Sequence, residues 1–222
     1  MNLLETRKRF SSKKKCISFL ERARWGVTPI CTYCGSSKHT ARSKEFRYQC
    51  NSCNRSYSVT IGTIFHNSKL SLPKWFIAIV LILNAKKGIS SRQLARDLGV
   101  DKNTAWYLQM RVRLAMSEDP GLLDGLLEVD ETYIHGIDKT FKDHQIINHT
   151  QDEYVRWEFH LNTLEGFWSL LKRGVIGQYH SISQRYLQTY VNEFCFRYSY
   201  RENPNLFDRL IFRSLNLNPV NC

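Results

Sequence analysis

Four cysteines carry the first chemical signal. Cys31-x2-Cys34 and Cys50-x2-Cys53 flank fifteen residues, the spacing of a four-thiolate zinc site. Each Cys-x-x-Cys turn offers two thiolates from one tight knuckle, and two knuckles complete a tetrahedron around Zn²⁺. A second signal is the run Leu126-Leu127-Glu128-Val129-Asp130-Glu131-Thr132-Tyr133-Ile134, strand-like but with carboxylates inside it. Burying such a group without a partner is costly, and a metal ion would supply the partner. The plainer alternative is an edge strand with Glu128 and Glu131 in water. A third signal spans residues 160–174, where Asn162, Glu165, Ser169 and Lys172 recur at i, i+3, i+7 and i+10. Beside them runs an apolar stripe of Leu161, Leu164, Trp168 and Leu171, so a helix packs one side and presents a polar line on the other. Periodicity alone suits a surface helix with an ion pair equally well.

Between these signals lies a helical stretch, residues 70–118. Ser71 and Pro73 suit a helix start, and residues 75–83 supply a buried run. Ser90 or Ser91 then caps a short helix through Leu98, Gly99-Val100 makes a turn, and Asp101 caps a helix over residues 102–116. Two helices joined by a Gly-containing turn form the helix-turn-helix pattern. The second would present Lys102, Asn103, Gln109, Arg111 and Arg113 to phosphates or base edges. An ordinary three-helix bundle is the competing reading.

The remaining elements must hold these groups in place. Phe46 and Tyr48 alternate with polar residues, as do Tyr57 and Val59, which predicts a hairpin and hence a zinc ribbon. A module so small depends on its metal to fold. Residues 12–24 read as a basic helix with Cys16, Phe19, Leu20 and Ala23 on one face. Residues 183–201 read as a helix with Leu187, Tyr190, Val191, Phe194, Cys195 and Tyr198 on one side, a core-forming rather than base-stacking set. The formal net charge of +12 favours polyanionic partners, nucleic acid first. The longest apolar run, nine residues over 75–83, is far short of the roughly 20 that a membrane span needs. No signal peptide is legible, so a cytoplasmic protein with free thiols is expected; Cys16, Cys195 and Cys222 have no partner motif.

With these residues in view, the chain resembles the bacterial insertion-sequence transposases that place a zinc ribbon before an RNase-H-like DDE domain of the ISXO type. The matching phrases, in order, are Cys31–Cys53, Gly62-Thr63-Ile64-Phe65-His66, Ser90-Ser91-Arg92-Gln93-Leu94-Ala95 and Thr104-Ala105-Trp106. They continue with Val129-Asp130-Glu131-Thr132-Tyr133-Ile134 and His160-x-Asn162-x-x-Glu165-Gly166-Phe167-Trp168-Ser169-Leu170-Leu171-Lys172-Arg173-Gly174. The resemblance implies an α+β, multi-module chain. Its parts are a basic helix (1–29), zinc ribbon (30–69), helix-turn-helix region (70–118), linker (119–125) and RNase-H-like α/β domain (126–222). It also implies a chemistry in which two divalent ions, usually Mg²⁺, activate water and then a DNA 3′-hydroxyl for in-line attack on phosphodiesters. By the same resemblance Asp130 is the first catalytic ligand, Asn162 or Glu165 fills the third acidic position, and Lys172 contacts the DNA end. Zn²⁺ is then structural, and the partners are transposon-end and target DNA.

The second catalytic aspartate has no place. In an RNase-H-like fold two strands and a helix separate the first Asp from the strand that carries the second, an excursion of at least roughly 45 residues before the last catalytic helix. Asp130 and Asn162 are 32 positions apart. Residues 143–156 already resemble the segment preceding that last helix, through His144, Asn148-His149 and Tyr154-Val155, which leaves about residues 136–142 for the central strands. Asp138 and Asp143 lack a strand-like context. The sequence therefore predicts an internally shortened DDE domain, weak in divalent-ion affinity because that affinity rests on convergent oxygens. Three readings follow: a transposase; a non-enzymatic DNA-binding remnant, alone or assembled as a homo-oligomer with intact copies; and a zinc-ribbon regulator, which leaves the 160–174 phrase unexplained.

Overall fold

In a computed structural model, residues 1–117, 155–156, 159–160 and 162–216 are described. The chain separates into two compact units, one of residues 1–117 with 182–222, the other of residues 118–181. Among the described residues no helix is long and apolar enough to cross a membrane.

The first unit begins with α1 (Leu3–Arg9) and α2 (Lys13–Trp25). Asn2 and Glu5 form a reciprocal capping box on α1, and the Ser12 hydroxyl accepts from Lys15 N–H to start α2, each satisfying backbone donors that helix ends leave free. A three-stranded antiparallel sheet follows: β1 (His39–Arg42), β2 (Arg47–Cys50) and β3 (Ser56–Tyr57), with His39 opposite Cys50 and Tyr48 opposite Tyr57. The hairpin turns through a short 3₁₀ segment, Ser43–Glu45. Phe46, expected within the strand, instead takes a left-handed conformation (φ 55°) that closes this turn.

Then come α3 (Leu72–Asn84), α4 (Ser91–Leu98) and α5 (Lys102–Met116). Ser90 caps α4 through Gln93 N–H, and Asp101 caps α5 through Asn103 N–H. Between them Gly99 is left-handed at φ 60°, a conformation glycine adopts without Cβ strain. Seven of the thirteen α3 side chains are buried, among them Trp75, Phe76, Ile79 and Ile82, so α3 forms the centre of the core.

Two C-terminal helices, α7 (Gln184–Ser199) and α8 (Leu206–Asn216), complete that core. Helix α8 packs on α2, α3 and α5, and α7 packs on α5. Phe207 stacks on Phe10 and meets Phe76 edge-on, both at ring separations of 5.7 Å, while Leu210, Ile211 and Leu215 are buried with Leu20 and Phe76. Each such side chain contributes about 1.5–3 kcal/mol by leaving water. The structure thus departs from a single body over 126–222. The apolar faces of α7 and α8 belong to the unit of the ribbon and α3–α5, and residues 118–181 are inserted between α5 and α7. Helices α5 and α7 run parallel, since Trp106 meets Tyr186 at 5.4 Å and, two turns on, Arg113 meets Glu193.

In the second unit the described elements are β4 (Val155–Arg156) paired antiparallel with β5 (Phe159–His160), then α6 (Asn162–Gly174). Helix α6 continues as a π-helical turn, Val175–Tyr179, which sequence periodicity does not reveal.

Candidate metal centre and nucleic-acid interface

The two knuckles are built alike. In the first, Cys31 N–H donates to Ser36 O, and in the second Cys50 N–H donates to Arg55 O. The residue after each second cysteine is left-handed, Gly35 at φ 72° and Asn54 at φ 55°, as the two residue types that tolerate this conformation should be. The ligand sulfurs of Cys31, Cys34, Cys50 and Cys53 lie within 4.8 Å of one another. The Cys31–Cys53 and Cys34–Cys50 separations are 3.7 and 3.5 Å. A regular tetrahedron with Zn–S bonds of about 2.3 Å has edges of about 3.8 Å; these two separations are close to that edge, and the four sulfurs together are near enough for one structural Zn²⁺. Backbone donors of Cys53 and Ser52 hold the Cys50 thiol down at about 6, favouring the thiolate that binds metal. Among the described residues this is the one cluster of its kind.

The ribbon does not stand apart from α2. Trp25 meets Tyr48 and Tyr57 edge-on at 5.8 Å, and Tyr48 donates to the Glu21 carboxylate at 2.9 Å. Burial and that carboxylate push the Tyr48 phenol up to about 12. The Arg24 guanidinium donates to Val59 O and Ile61 O, both at 2.6 Å. The basic helix expected at residues 12–24 therefore buries Cys16, Ile17 and Leu20 in the main core and packs Glu21, Arg24 and Trp25 of its last turns on the ribbon, while its lysines remain outside.

Of the five α5 side chains expected to face DNA, Lys102 and Asn103 are exposed in the first turn. Gln109 and Arg113 are each 1% exposed and committed internally. Gln109 donates to Ile89 O and accepts from the Ser91 hydroxyl, both at 2.8 Å. Arg113 pairs with Glu193 at 2.5 Å and lies over the Tyr190 ring at 3.8 Å. Arg111 donates to Ile64 O and His66 O, which ties the Gly62–His66 phrase to α5. Three neighbours cause the departure: Ile89 and Ser91 at the start of α4 engage Gln109, residues 64–66 engage Arg111 and α7 engages Arg113, so polar side chains in the carboxyl-terminal half of α5 become internal fasteners. Sequence reasoning missed Thr104 and Tyr107, which share the open amino-terminal face with Asn103; Tyr107 is 64% exposed. Only the packing direction of α5 reveals it as surface.

Of the expected catalytic positions, Asp130 lies outside the described residues, as do Glu128, Glu131, Asp138, Asp143 and the linker. Asn162 and Glu165 both fall on α6, at its first residue and one turn later. Lys172 is on the same helix and exposed, while Phe167 and Leu171 are buried at i, i+4. From residue 166 onward the polar line is as the spacing predicts, with Ser169 and Lys172 exposed, but the apolar side is turned: Phe167, outside the expected stripe, is buried with Leu171, and Trp168 is half-buried. Among the described residues the other two cysteines lie outside the cluster: Cys16 is buried, its thiol raised to about 11 by that burial, and Cys195 is half-buried; Cys222 lies outside the described residues.

Residues 11–56 match the transposase zinc-ribbon domain and residues 135–199 the ISXO2-like transposase domain. The first match takes in α2 as well as the cysteines, in keeping with their packing. The second begins after Asp130 and includes α6 and α7. The chain is 28% identical over 130 residues to an uncharacterized protein in the transposable element ISH50 of Halobacterium salinarum. That match covers 57% of this chain and 44% of the relative. No solved structure matches the chain. The chain thus carries, in one order, a segment similar to a transposase zinc ribbon, with four cysteines set for zinc within it, and a segment similar to an ISXO2-like transposase domain, and it spans under half the length of the transposable-element protein that it matches.

Proposed function

We propose that this chain is a transposase by descent that binds DNA through its first unit and lacks an intact cleavage site. Helices α4 and α5 act as the helix-turn-helix, with Lys102 and Asn103 at the groove and Thr104 and Tyr107 beside them. Structural Zn²⁺ sits on Cys31, Cys34, Cys50 and Cys53. The inserted unit derives from an RNase-H-like domain in which Asp130 and one of Asn162 and Glu165 would hold Mg²⁺, and Lys172 would steady the DNA end. The observation that carries the defect is the 32-position interval between Asp130 and Asn162, too short for the strands that bear the second aspartate. With one dependable carboxylate the affinity for divalent ions falls, because it depends on several oxygens converging. Without two clamped ions neither the attacking nor the leaving oxygen is stabilised.

The packing of α7 and α8 into the first unit favours a DNA-binding role over a catalytic one. A deletion within the inserted segment leaves every element of that unit in place. A strand-cleavage assay with Mg²⁺ or Mn²⁺ on DNA carrying the element's own ends tests the reading, using this chain and Asp130→Ala. Binding without cleavage in both proteins is expected. Cleavage that disappears in Asp130→Ala would mean a rebuilt active site and sink the defective-enzyme reading.

A further inference from the structure

The positive charge of this chain is not spread evenly. Residues 1–117 hold 22 Lys and Arg against 5 Asp and Glu, while residues 118–222 hold 10 against 15. Part of the surplus gathers where two elements distant in sequence meet. Helix α2 opens with Lys13, Lys14 and Lys15, all exposed, although a helix start favours acidic side chains and disfavours cations. The tip of the ribbon hairpin carries Arg42 and Lys44, also exposed. The two meet at Phe46, whose ring lies 5.3 Å from the Lys13 ammonium and packs against the main core. The hairpin tip is thereby fixed beside the first turn of α2.

We propose that this joined surface, the first turn of α2 with the tip of the ribbon, is a second DNA contact that grips the duplex backbone without reading sequence. It rests on the DNA-binding reading above and assigns the ribbon and α2 a part in it. Five cations face solvent there, and Glu45 is the sole carboxylate of residues 11–15 and 39–50. Lys14, Arg42 and Lys44 have no ion-pair partner among the described residues. The same surface exposes the hydroxyl residues Ser11, Ser12, Thr40 and Ser43, and its one exposed apolar side chain is Ala41. Hydroxyls and cations without apolar insertion suit phosphodiester oxygens, and not a lipid interface, which requires apolar side chains to bury. The local disadvantage of three lysines at a helix start makes sense if their partner lies outside the protein.

The test is fluorescence anisotropy of the full, zinc-loaded chain on two duplexes, one of the element's terminal sequence and one scrambled, across a salt series. The variant is K13Q/K14Q/K15Q/R42Q/K44Q. Its affinity should fall at least about tenfold, by the same factor on both duplexes, and the log–log salt slope should drop by roughly 2–4, near one unit for each phosphate that the variant no longer neutralises. Zinc content and thermal midpoint report whether the fold survives. Should the five-fold variant lose either, K14Q/R42Q/K44Q spares Lys13 on Phe46 and the Lys15–Ser11 hydrogen bond and should move both readouts the same way. An unchanged slope, or a loss confined to the terminal duplex, overturns this proposal while leaving the reading helix intact. A wild-type chain that binds neither duplex overturns both.

Discussion

Arg113 of α5 and Glu193 of α7 meet at 2.5 Å with side chains 1% and 0% exposed. A second arginine, Arg197, reaches the same carboxylate at 3.2 Å and donates to Ile82 O and Ala85 O at the end of α3. One buried carboxylate therefore holds α3, α5 and α7 together. Removing one partner of such a group leaves an uncompensated charge in the core, at about 3–5 kcal/mol. Glu193→Ala should lose about that much in urea unfolding, while replacing all three charged side chains, Arg113→Met and Arg197→Met with Glu193→Leu, should lose less. A loss under about 1 kcal/mol for Glu193→Ala would show that water or other donors satisfy the arginines.

Zinc removal should act beyond the ribbon. The four thiols are buried or half-buried apart from Cys34, and Tyr57, fully buried, packs on them together with Trp25 of α2. One zinc per chain is the expected stoichiometry by elemental analysis. Chelation, or Cys50→Ser, should release it and unfold the sheet. Trp25 fluorescence should change in step, because its two tyrosine neighbours belong to the ribbon. Zinc loss with unchanged Trp25 emission would separate α2 from the metal site.

How much was legible in the sequence depended on whether the cause was local. The Asp101 cap, the α4 cap at Ser90 or Ser91, the Gly99 turn and the cysteine knuckles announce themselves because each depends on a few adjacent residues. The fate of Gln109, Arg111 and Arg113 does not. Read on α5 alone they are polar and could reach DNA; their partners, Ile89, Ile64 and Glu193, come from elsewhere in the chain. Helix α8 was illegible as an element of the first unit for the same reason, since Phe207, Leu210 and Ile211 find their core more than 100 residues back. Asp130 lies outside the described residues, and the catalytic reading still stands on sequence alone.

The packing of α7 and α8 predicts that residues 1–118 are not an independent domain. A chain ending at Ser181 would expose Leu20, Phe76 and Ile79 where α7 and α8 now lie and leave Arg113 buried without its carboxylate. Such a truncation should lose cooperative unfolding and become insoluble, although it keeps the ribbon and α3–α5 whole. Supplying residues 182–222 as a separate chain in the same cells should restore solubility. A truncation that melts cooperatively on its own would mean that α7 and α8 decorate the core instead of completing it.

The division of α5 into an open and a fastened half gives opposite outcomes for two polar residues six positions apart. Asn103 is exposed, and its backbone N–H is already satisfied by Asp101, so Asn103→Ala should leave the thermal midpoint unchanged. If its side chain reads a base edge, discrimination between terminal and scrambled duplex should fall by about 1–3 kcal/mol, the usual worth of a good base contact. Gln109 is buried with both ends of its amide engaged. Gln109→Ala should cost about 1–3 kcal/mol of stability by leaving Ile89 O and the Ser91 hydroxyl short of a partner, while the folded fraction keeps its preference for the terminal duplex. If instead Gln109→Ala abolished that preference at full stability, the carboxyl-terminal half of α5 would have to open on DNA, and its packing on Ile89 and Ser91 at the start of α4 would be the part that moves.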